Sequence, residues 1–282
     1  MKEVKKILAG INKLPPMPEV MGKILRISDN PTASAKEIID IIKYDQNITA
    51  NVLRLCNSSY YSLPRHISSL NDAVVMLGNR TLYNVILAGF AANIVGKENI
   101  GYQMEKGGLW EHSVSCAILA KELAKRVGYE DEQLAYSTGL MHDTGKVVLD
   151  SFIQENEDKI LDKVTEQKED FDKVEEDILG LSHAEIGALL SESWKFPKEI
   201  TDGIRYHHRP EDAEENKILV NIIHIADALA VMFGFGSGID GLNYHVSDIA
   251  LNELGLTENE IYSLSPHLIS EVKKAKDMVT VK

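Results

Sequence analysis

The stretch Leu140-Met141-His142-Asp143-Thr144-Gly145-Lys146 places a histidine directly before an aspartate and a lysine three residues later. On a helix, His142 and Asp143 lie about 100° apart, so they reach a common point side by side. Lys146 lies on the same helical face as Asp143 if the helix continues through it. The stretch is therefore a candidate site, in which Lys146 could hold a phosphate group or a metal-bound hydroxide.

The pattern around this stretch predicts an all-α fold. Ile38, Ile41 and Ile42 recur at helical spacing, and hairpin signals between β-branched runs are missing. Gly78 is well placed to end a short helix that begins after Ser69. A serine or threonine followed three residues later by glutamate caps many helix N-termini. This pattern occurs at Ser34–Glu37, Ser182–Glu185 and Thr257–Glu260.

Two segments suggest how the chain is divided. Leu14-Pro15-Pro16-Met17-Pro18 disfavours helix and predicts a rigid, extended entry to the next helix. The apolar pattern lapses over Lys97–Gly108, where glycines cluster. We therefore expect one helical lobe over residues 1–100 and a second over residues 101–282. The stretch Glu155–Glu176 is dense in charged residues and predicts solvated helices or a mobile connection.

The composition excludes several classes of function. The 282 residues include 30 Lys and Arg against 43 Asp and Glu, a formal net charge of −13, so nucleic acid is not an expected partner. A local pocket could still bind a phosphorylated small molecule, because net charge does not describe one site. Cys56 and Cys116 share no motif spacing, which fits a reducing compartment. The longest uncharged stretch, Thr81–Gly96, is shorter than the roughly 20 apolar residues of a membrane span, so we expect a cytoplasmic protein that does not bind a membrane.

The histidines concentrate in the second half of the chain, whereas only His66 lies in the first hundred residues. Imidazole nitrogens and carboxylate oxygens suit ions such as Fe, Mn and Zn, and two such ions roughly 3.5–4 Å apart can clamp a phosphoryl group. Asp227 lies in an otherwise apolar run, where a buried carboxylate needs a partner. The isolated His66, His245 and His267 are interpreted as surface or structural residues, and His224 as structural.

The order of these residues resembles a known family. His112, the pair His142-Asp143 and Asp227 follow the H…HD…D order of the HD-domain metal-dependent phosphohydrolases. Other motifs resemble the HDOD domain, a bacterial signalling relative of the HD fold. They are Leu14–Pro18, Asp45–Ala50, Leu53–Tyr61 and Ala73–Gly78. The resemblance extends from about Leu8 to Met232, and it implies a helical bundle like that of HD domains, an N-terminal HDOD lobe and a role in signal transduction.

The chain is also similar to the HD-GYP phosphodiesterases, which hydrolyse cyclic di-GMP at a site of two or three metals. The ligand set that this resemblance implies is His112, His142, Asp143, His183, His207, His208 and Asp227, with Lys146 as a further matched residue. The Gly-Tyr-Pro motif is missing after the histidine pair, which argues against cyclic di-GMP as substrate. An additional acidic ligand of some such sites would fall on Gly108, so two metals are favoured over three.

Two hypotheses for function follow. In the first, Asp143 bridges two divalent ions, with Fe or Mn favoured, and Lys146 stabilises charge that develops on a phosphodiester or phosphomonoester. One ion would bind His112, His142 and Asp227, and the other His183, His207 and His208. In the second, the chain is a non-catalytic regulatory module with a structural or vestigial metal site, and its N-terminal lobe docks a signalling protein. A phosphorylated small molecule or a cyclic dinucleotide is the expected ligand, and whether the chain is an enzyme is left open.

Four residues near the histidine pair have two interpretations each. Trp194 and Phe196 are expected to pack in the core or at a helix end rather than to stack on a base. Arg205 and Arg209 flank the pair and could contact phosphate, although a surface role is equally consistent with the sequence.

Overall fold

The computed structural model describes residues 2–11, 35–43, 46–236, 238–241 and 244–275. Over these ranges the structure is helical, and the single β-type pairing is an isolated bridge between Asn99 and Met104. The helices are α1 (Lys2–Ile11), α2 (Ala35–Ile42), α3 (Gln46–Cys56), α4 (Leu70–Val95), α5 (Gly108–Val127), α6 (Glu132–Met141), α7 (Lys146–Glu155), α8 (Glu157–Thr165), α9 (Phe171–Leu179), α10 (His183–Ser193), α11 (Lys198–Arg205), α12 (Lys217–Met232), α13 (Asp248–Glu253) and α14 (Glu258–Lys274). The predicted all-α fold is confirmed.

Helix caps account for several of these boundaries. The hydroxyls of Ser69, Ser182 and Thr257 accept a backbone N–H from the third residue of α4, α10 and α14, and the cap at Thr257 is a complete capping box. Gly78 interrupts α4 with a φ of 76°, a left-handed conformation that favours glycine. The short helix predicted to end at Gly78 is thereby confirmed, although a second helical stretch follows at once. Ser34 lies outside the described residues.

Helix α5 lies at the centre of the fold. It packs against α6 and α12, while α4 packs against α3 and α6, and α10 packs against α11. Trp110 on α5 is completely buried. One hydrophobic cluster includes residues from Ile7 in α1 to Ala275 after α14. The division near residue 100 stays a prediction, and the segments Leu14–Pro18 and Tyr44–Asp45 lie outside the described residues.

Helix α4 is long and apolar enough to cross a membrane by length and composition alone. Within the protein, however, 56% of its qualifying window is buried, and Leu82, Ile86 and Phe90 pack in the core. A core helix of a globular protein passes the same test, so core packing accounts for the composition of α4. The cytoplasmic location stays a prediction.

The charged stretch Glu155–Glu176 is mostly helical and includes the last residue of α7, all of α8 and the first six residues of α9. Most of its charged side chains are exposed or half-buried, as expected for solvated helices. Asp172 and Glu175 are exceptions, because both are buried on the inner side of α9. The interpretation of the whole stretch as a surface is therefore wrong at these two positions.

Candidate metal centre

The His142-Asp143 pair lies in a turn and not within a helix. Helix α6 ends at Met141 and α7 begins at Lys146, and the turn between them is closed by a 3.0 Å hydrogen bond from the Lys146 N–H to the Asp143 carbonyl. The continuous helix on which the placement of Lys146 depended is absent here. Lys146 nevertheless reaches its predicted neighbour, because its Nζ donates to Asp143 Oδ2 at 2.5 Å.

A contact between two glycines brings this turn against α10. A Cβ on Gly145 would lie 2.0 Å from the His183 carbonyl oxygen and 2.7 Å from the Gly187 nitrogen. These are backbone atoms of the first turns of α10, which cannot move aside independently. Glycine at position 145 therefore allows Asp143 and His183 to approach one another, although they lie on separate elements.

We expect Gly145→Ala to destabilise the fold by about 1–3 kcal/mol, the usual cost of overpacking a dense interior, and to reduce metal binding because it separates the turn from α10. Gly108→Ala is the matched control, since its Cβ would make only ordinary contacts, the nearest at 3.4 Å to Met104. Denaturant unfolding and metal titration of both variants test this. Equal stability of the two variants would contradict the close approach at Gly145.

The structure brings the seven candidate ligands together from five parts of the chain. His112 lies on α5, Asp227 on α12, and His183 begins α10, while the His142-Asp143 and His207-His208 pairs lie in turns. Their ligand atoms form three groups, in each of which the atoms lie within 4.8 Å of one another. The groups are His112, His142 and Asp227; His183, His207 and His208; and His142, Asp143 and His207.

Asp143 lies between the first two of these groups, which we call the first set and the second set. Its Oδ2 is 3.4 Å from Nε2 of both His112 and His142. Its Oδ1 is 3.4 Å from His183 Nε2 and 3.8 Å from His207 Nε2. One carboxylate thus presents a different oxygen to each set, which is the arrangement that a bridging ligand requires.

Three buried atoms at this point have no hydrogen-bond partner: His142 Nε2, Asp143 Oδ1 and His207 Nε2. Buried polar atoms are normally paired, and an orphaned one costs about 1–3 kcal/mol. The opposite ring nitrogens explain the orientation, because His142 Nδ1 lies 2.7 Å from the Gly139 carbonyl and His207 Nδ1 lies 2.6 Å from the Ile204 carbonyl. With Nδ1–H donating to a carbonyl, each Nε2 points toward the centre and presents a lone pair to it once the ring is neutral.

In two further contacts a ring nitrogen faces another group that can accept a hydrogen bond. His112 Nδ1 faces the Phe235 carbonyl at 3.1 Å, and its Nε2 faces Asp227 Oδ1 at 2.8 Å. His183 Nε2 lies 2.8 Å from His208 Nε2. If the proton of the neutral His112 ring is on Nδ1, its Nε2 lone pair faces a carboxylate oxygen, and a metal ion would relieve that contact. If the proton of the neutral His183 ring is on Nδ1, its Nε2 lone pair can accept from His208 Nε2–H or share a metal ion with His208. The donor set and its orientation therefore fit a metal centre.

Most of the charge states suit metal binding, whereas His142 has to give up a proton first. Burial acts to lower the pKa of His142, but Asp143 outweighs it and raises that pKa well above its usual value, so a metal ion would displace a proton there. Burial lowers the pKa of His207 to about 3, and the neighbouring His142 adds to the effect, so His207 is neutral at pH 7, the form that binds metal. Burial acts to raise the pKa of Asp143, but His142 and Lys146 outweigh it and hold that pKa well below its usual value. Asp227 behaves likewise beside His142 and His112. Both carboxylates are therefore ionised.

Three residues next to the centre were missed by sequence analysis. Glu175 on α9 contacts His183, Asp240 contacts Lys146, and Tyr244 donates to Asp227 Oδ2 at 2.7 Å. Glu175 is one of many acidic residues in a charged stretch, and the other two lie in loop sequence after α12. No local pattern distinguishes them, because each is defined by a tertiary contact.

The four histidines that were interpreted as surface or structural residues lie outside the group of candidate ligands. His66, His245 and His267 are exposed. His224 contacts the His207 carbonyl through Nδ1 and accepts the Ser247 N–H through Nε2, so it supports the histidine pair from behind. Trp194 packs edge-on against Phe90, with a ring separation of 5.5 Å.

Both arginines beside the histidine pair form ion pairs with acidic side chains. Arg205 pairs with Glu185 and Glu192, and Arg209 pairs with Asp172 and Glu176. Their guanidinium groups are partly exposed and lie in clefts beside His208.

Access to the centre is restricted. The other six candidate ligands are at most 3% exposed, whereas His208 is half-buried. His208 lines two clefts of about 280 and 260 Å³ that share Arg209. Tyr244 lines the smaller cleft, and its ring centroid lies 5.0 Å from that of His208. Within the described residues, His208 is thus the ligand that connects the cluster to solvent-accessible space.

The family is decided by a match over most of the chain, because the model of the HDOD domain family matches residues 14–210. The chain belongs to the HDOD domain family. The HDOD resemblance predicted from the motifs is thereby confirmed, while the HD-GYP-like ligand pattern stays a prediction.

Two solved structures share this fold. A Geobacter sulfurreducens HDOD domain protein of unknown function superposes with a TM-score of 0.80 at 28% identity, covering 100% of this chain and 98% of that one. A Shewanella amazonensis protein, provisionally named a phosphohydrolase, superposes with a TM-score of 0.75 at 24% identity, covering 97% of this chain and 96% of that one. At that identity the second likeness shows the fold alone.

Two curated relatives are longer than this HDOD chain. An uncharacterised protein of Treponema pallidum (strain Nichols) is 28% identical over 221 residues, which are 77% of this chain and 42% of that protein. Ribonuclease Y of Acholeplasma laidlawii (strain PG-8A) is 32% identical over 120 residues, 43% of this chain and 17% of that enzyme. The chain therefore spans less than half the length of each relative.

Proposed function

We propose that this HDOD protein is a bacterial signalling protein with a dinuclear metal centre that hydrolyses a phosphate ester. The observation that supports the proposal most directly is the convergence of the orphaned His142 Nε2, Asp143 Oδ1 and His207 Nε2 on one buried point. Nitrogen and oxygen donors of this kind favour Fe or Mn. A structural hydrogen-bond network would have paired these atoms instead.

The first set would hold one ion, the second set the other, and Asp143 would contact both. When bound, such ions act as Lewis acids toward a phosphate oxygen and activate water as a nucleophile. Lys146 is 2% exposed and lies against Asp143, so its ammonium group can bind the phosphate oxygens next to the ions. The role of Lys146 is then to stabilise the negative charge that develops in the transition state.

The clefts beside His208 favour a small substrate. The cleft of about 260 Å³ contains Phe171, Tyr244 and Val246, which offer apolar contacts, together with Arg209. Its rim also carries Asp170, Asp172 and Glu211, which would repel a long polyanion. Ribonuclease Y acts, by its name, on RNA, and this relationship supports phosphodiester chemistry. The formal charge of −13 nevertheless favours a phosphorylated small molecule over RNA.

The alternative function is a non-catalytic regulatory module that docks a signalling partner. The missing Gly-Tyr-Pro motif and the deep burial of six candidate ligands favour this alternative. In that case the protein would bind metal without turning over any substrate. The two functions therefore differ in turnover and agree in metal content.

Metal analysis and turnover of the same preparation test the proposal. Protein loaded anaerobically with Fe²⁺ or Mn²⁺ is expected to hold about two ions per chain and to hydrolyse a member of a panel of aryl phosphodiesters, aryl phosphomonoesters, cyclic dinucleotides and short RNA. His142→Ala should lose the ion of the first set and activity together, whereas His245→Ala, which removes an exposed histidine, should lose neither. Metal binding without turnover of any panel member would leave the regulatory alternative. Absence of metal would exclude both the catalytic and the non-catalytic metal centre.

A further inference from the structure

The second set contains less negative charge than the first set. The first set contains the carboxylate of Asp227, whereas the second contains three imidazoles and shares only Asp143. Among the described residues, Asp143 and Glu175 are the carboxylates within ion-pair distance of the second set. A divalent ion bound there would therefore depend on Glu175 for its second nearby negative charge.

Glu175 is held rigidly beside His183. Its Oε2 lies 2.6 Å from His183 Nδ1 and accepts the His183 backbone N–H at 2.8 Å. Its Oε1 accepts the hydroxyl hydrogen of Tyr102 at 2.5 Å. Glu175 and Tyr102 are completely buried, and His183 is 1% exposed. A carboxylate without solvent contact requires such a full set of donors.

The position of these bonds determines which nitrogen of His183 faces the centre. An ionised carboxylate only accepts hydrogen bonds, so Nδ1 of His183 carries the proton and Nε2 is left with its lone pair toward Asp143 and His208. His183 is also the first residue of α10, where the backbone N–H has no partner within the helix. Glu175 therefore fixes both the tautomer of the ring and the start of the helix that presents it.

We infer that Glu175 is a positioning residue that makes the second set a metal site, an inference that rests on the proposed dinuclear centre. Among the other candidate ligands, Nδ1 of His112, His142 and His207 faces a backbone carbonyl, and a carboxylate polarises an imidazole more strongly than a carbonyl does. Removal of such an outer partner typically lowers metal affinity by about 10–100-fold. The loss should fall on the ion of the second set.

The test is a metal titration of Glu175→Gln beside the wild-type protein. Glutamine keeps the volume and one acceptor oxygen, so the fold should persist, which a melting curve verifies. We expect the ion of the first set to bind with unchanged affinity and the ion of the second set to bind about 10–100-fold more weakly. Asp177→Asn is the control, because Asp177 lies on the same helix with its side chain 60% exposed. His142→Ala should instead weaken the binding of the ion in the first set.

A second readout needs neither metal nor turnover. Nitrogen NMR of the metal-free protein, recorded at alkaline pH so that the ring is neutral, should show the Nδ1–H tautomer of His183 in the wild type, and an Nε2–H tautomer would overturn the inference. Two unchanged binding steps in Glu175→Gln would also overturn it while leaving the dinuclear centre intact. A wild-type protein that binds no metal would instead reject the proposed function and this inference together.

Discussion

Asp143→Asn is expected to empty the metal centre and to abolish hydrolysis. The two oxygens of Asp143 face the two sets at 3.4 to 3.8 Å, so the substitution removes charge from both metal positions at once. Metal content should fall from about two ions per chain to less than one. Loss of several kcal/mol of transition-state stabilisation corresponds to at least a ~100-fold fall in turnover.

The fold should survive Asp143→Asn, because Lys146 keeps its ion pair with Asp240 and asparagine has nearly the volume of aspartate. Asp202→Asn is the matched control. Asp202 is also buried, at 6% exposure, and its side chain accepts hydrogen bonds from Lys198 and Asn216, neither of which is a candidate ligand. Elemental analysis and turnover should separate the two variants. Full metal content in Asp143→Asn would show that this carboxylate does not bridge two ions.

Most of the fold was accessible from local sequence, because helix caps are local interactions. The hydroxyls of Ser182 and Thr257 cap the helices that the serine and threonine patterns predicted, and Gly78 interrupts α4 at the expected position. The break between α6 and α7 was not predicted. It depends on the fit of Gly145 against α10, which is a long-range contact with no local pattern.

The candidate ligands could be recognised from the sequence, whereas the residues that hold them in position could not. The types and order of the seven candidate ligands can be read from the sequence, and a family resemblance assigns them to one site. Glu175 meets Tyr102 across 73 positions, and Lys146 meets Asp240 across 94. Such partners emerge only when α9 and the segment after α12 pack against the centre. A sequence pattern indicates which face of a helix is polar. It does not indicate which single charged residue in a polar stretch becomes buried, because that depends on how the helices pack in the core.

Lys146→Met is expected to destabilise the metal-free protein by about 3–5 kcal/mol, the usual cost of leaving a buried charge uncompensated. Lys146 is 2% exposed and pairs with both Asp143 and Asp240. Burial acts to lower the pKa of Lys146, but these two carboxylates outweigh it and raise that pKa above its usual value. A raised lysine pKa contributes its full stability below the unfolded-state pKa, so the whole contribution is present at pH 7. Lys198→Met is the control, because the side chain of Lys198 is 62% exposed. It should lower the free energy of unfolding by at most about 1 kcal/mol.

The double variant Lys146→Met with Asp240→Asn separates the structural role of Lys146 from its catalytic role. Removal of the Asp240 charge leaves a single carboxylate, Asp143, which the surrounding histidines still contact, so denaturant unfolding should show that much of the lost stability returns. If Lys146 stabilises charge on the substrate, turnover of the metal-loaded double variant should stay about 100–1,000-fold below that of the wild type. Wild-type turnover in a restabilised double variant would mean that Lys146 only balances the charges of two buried aspartates.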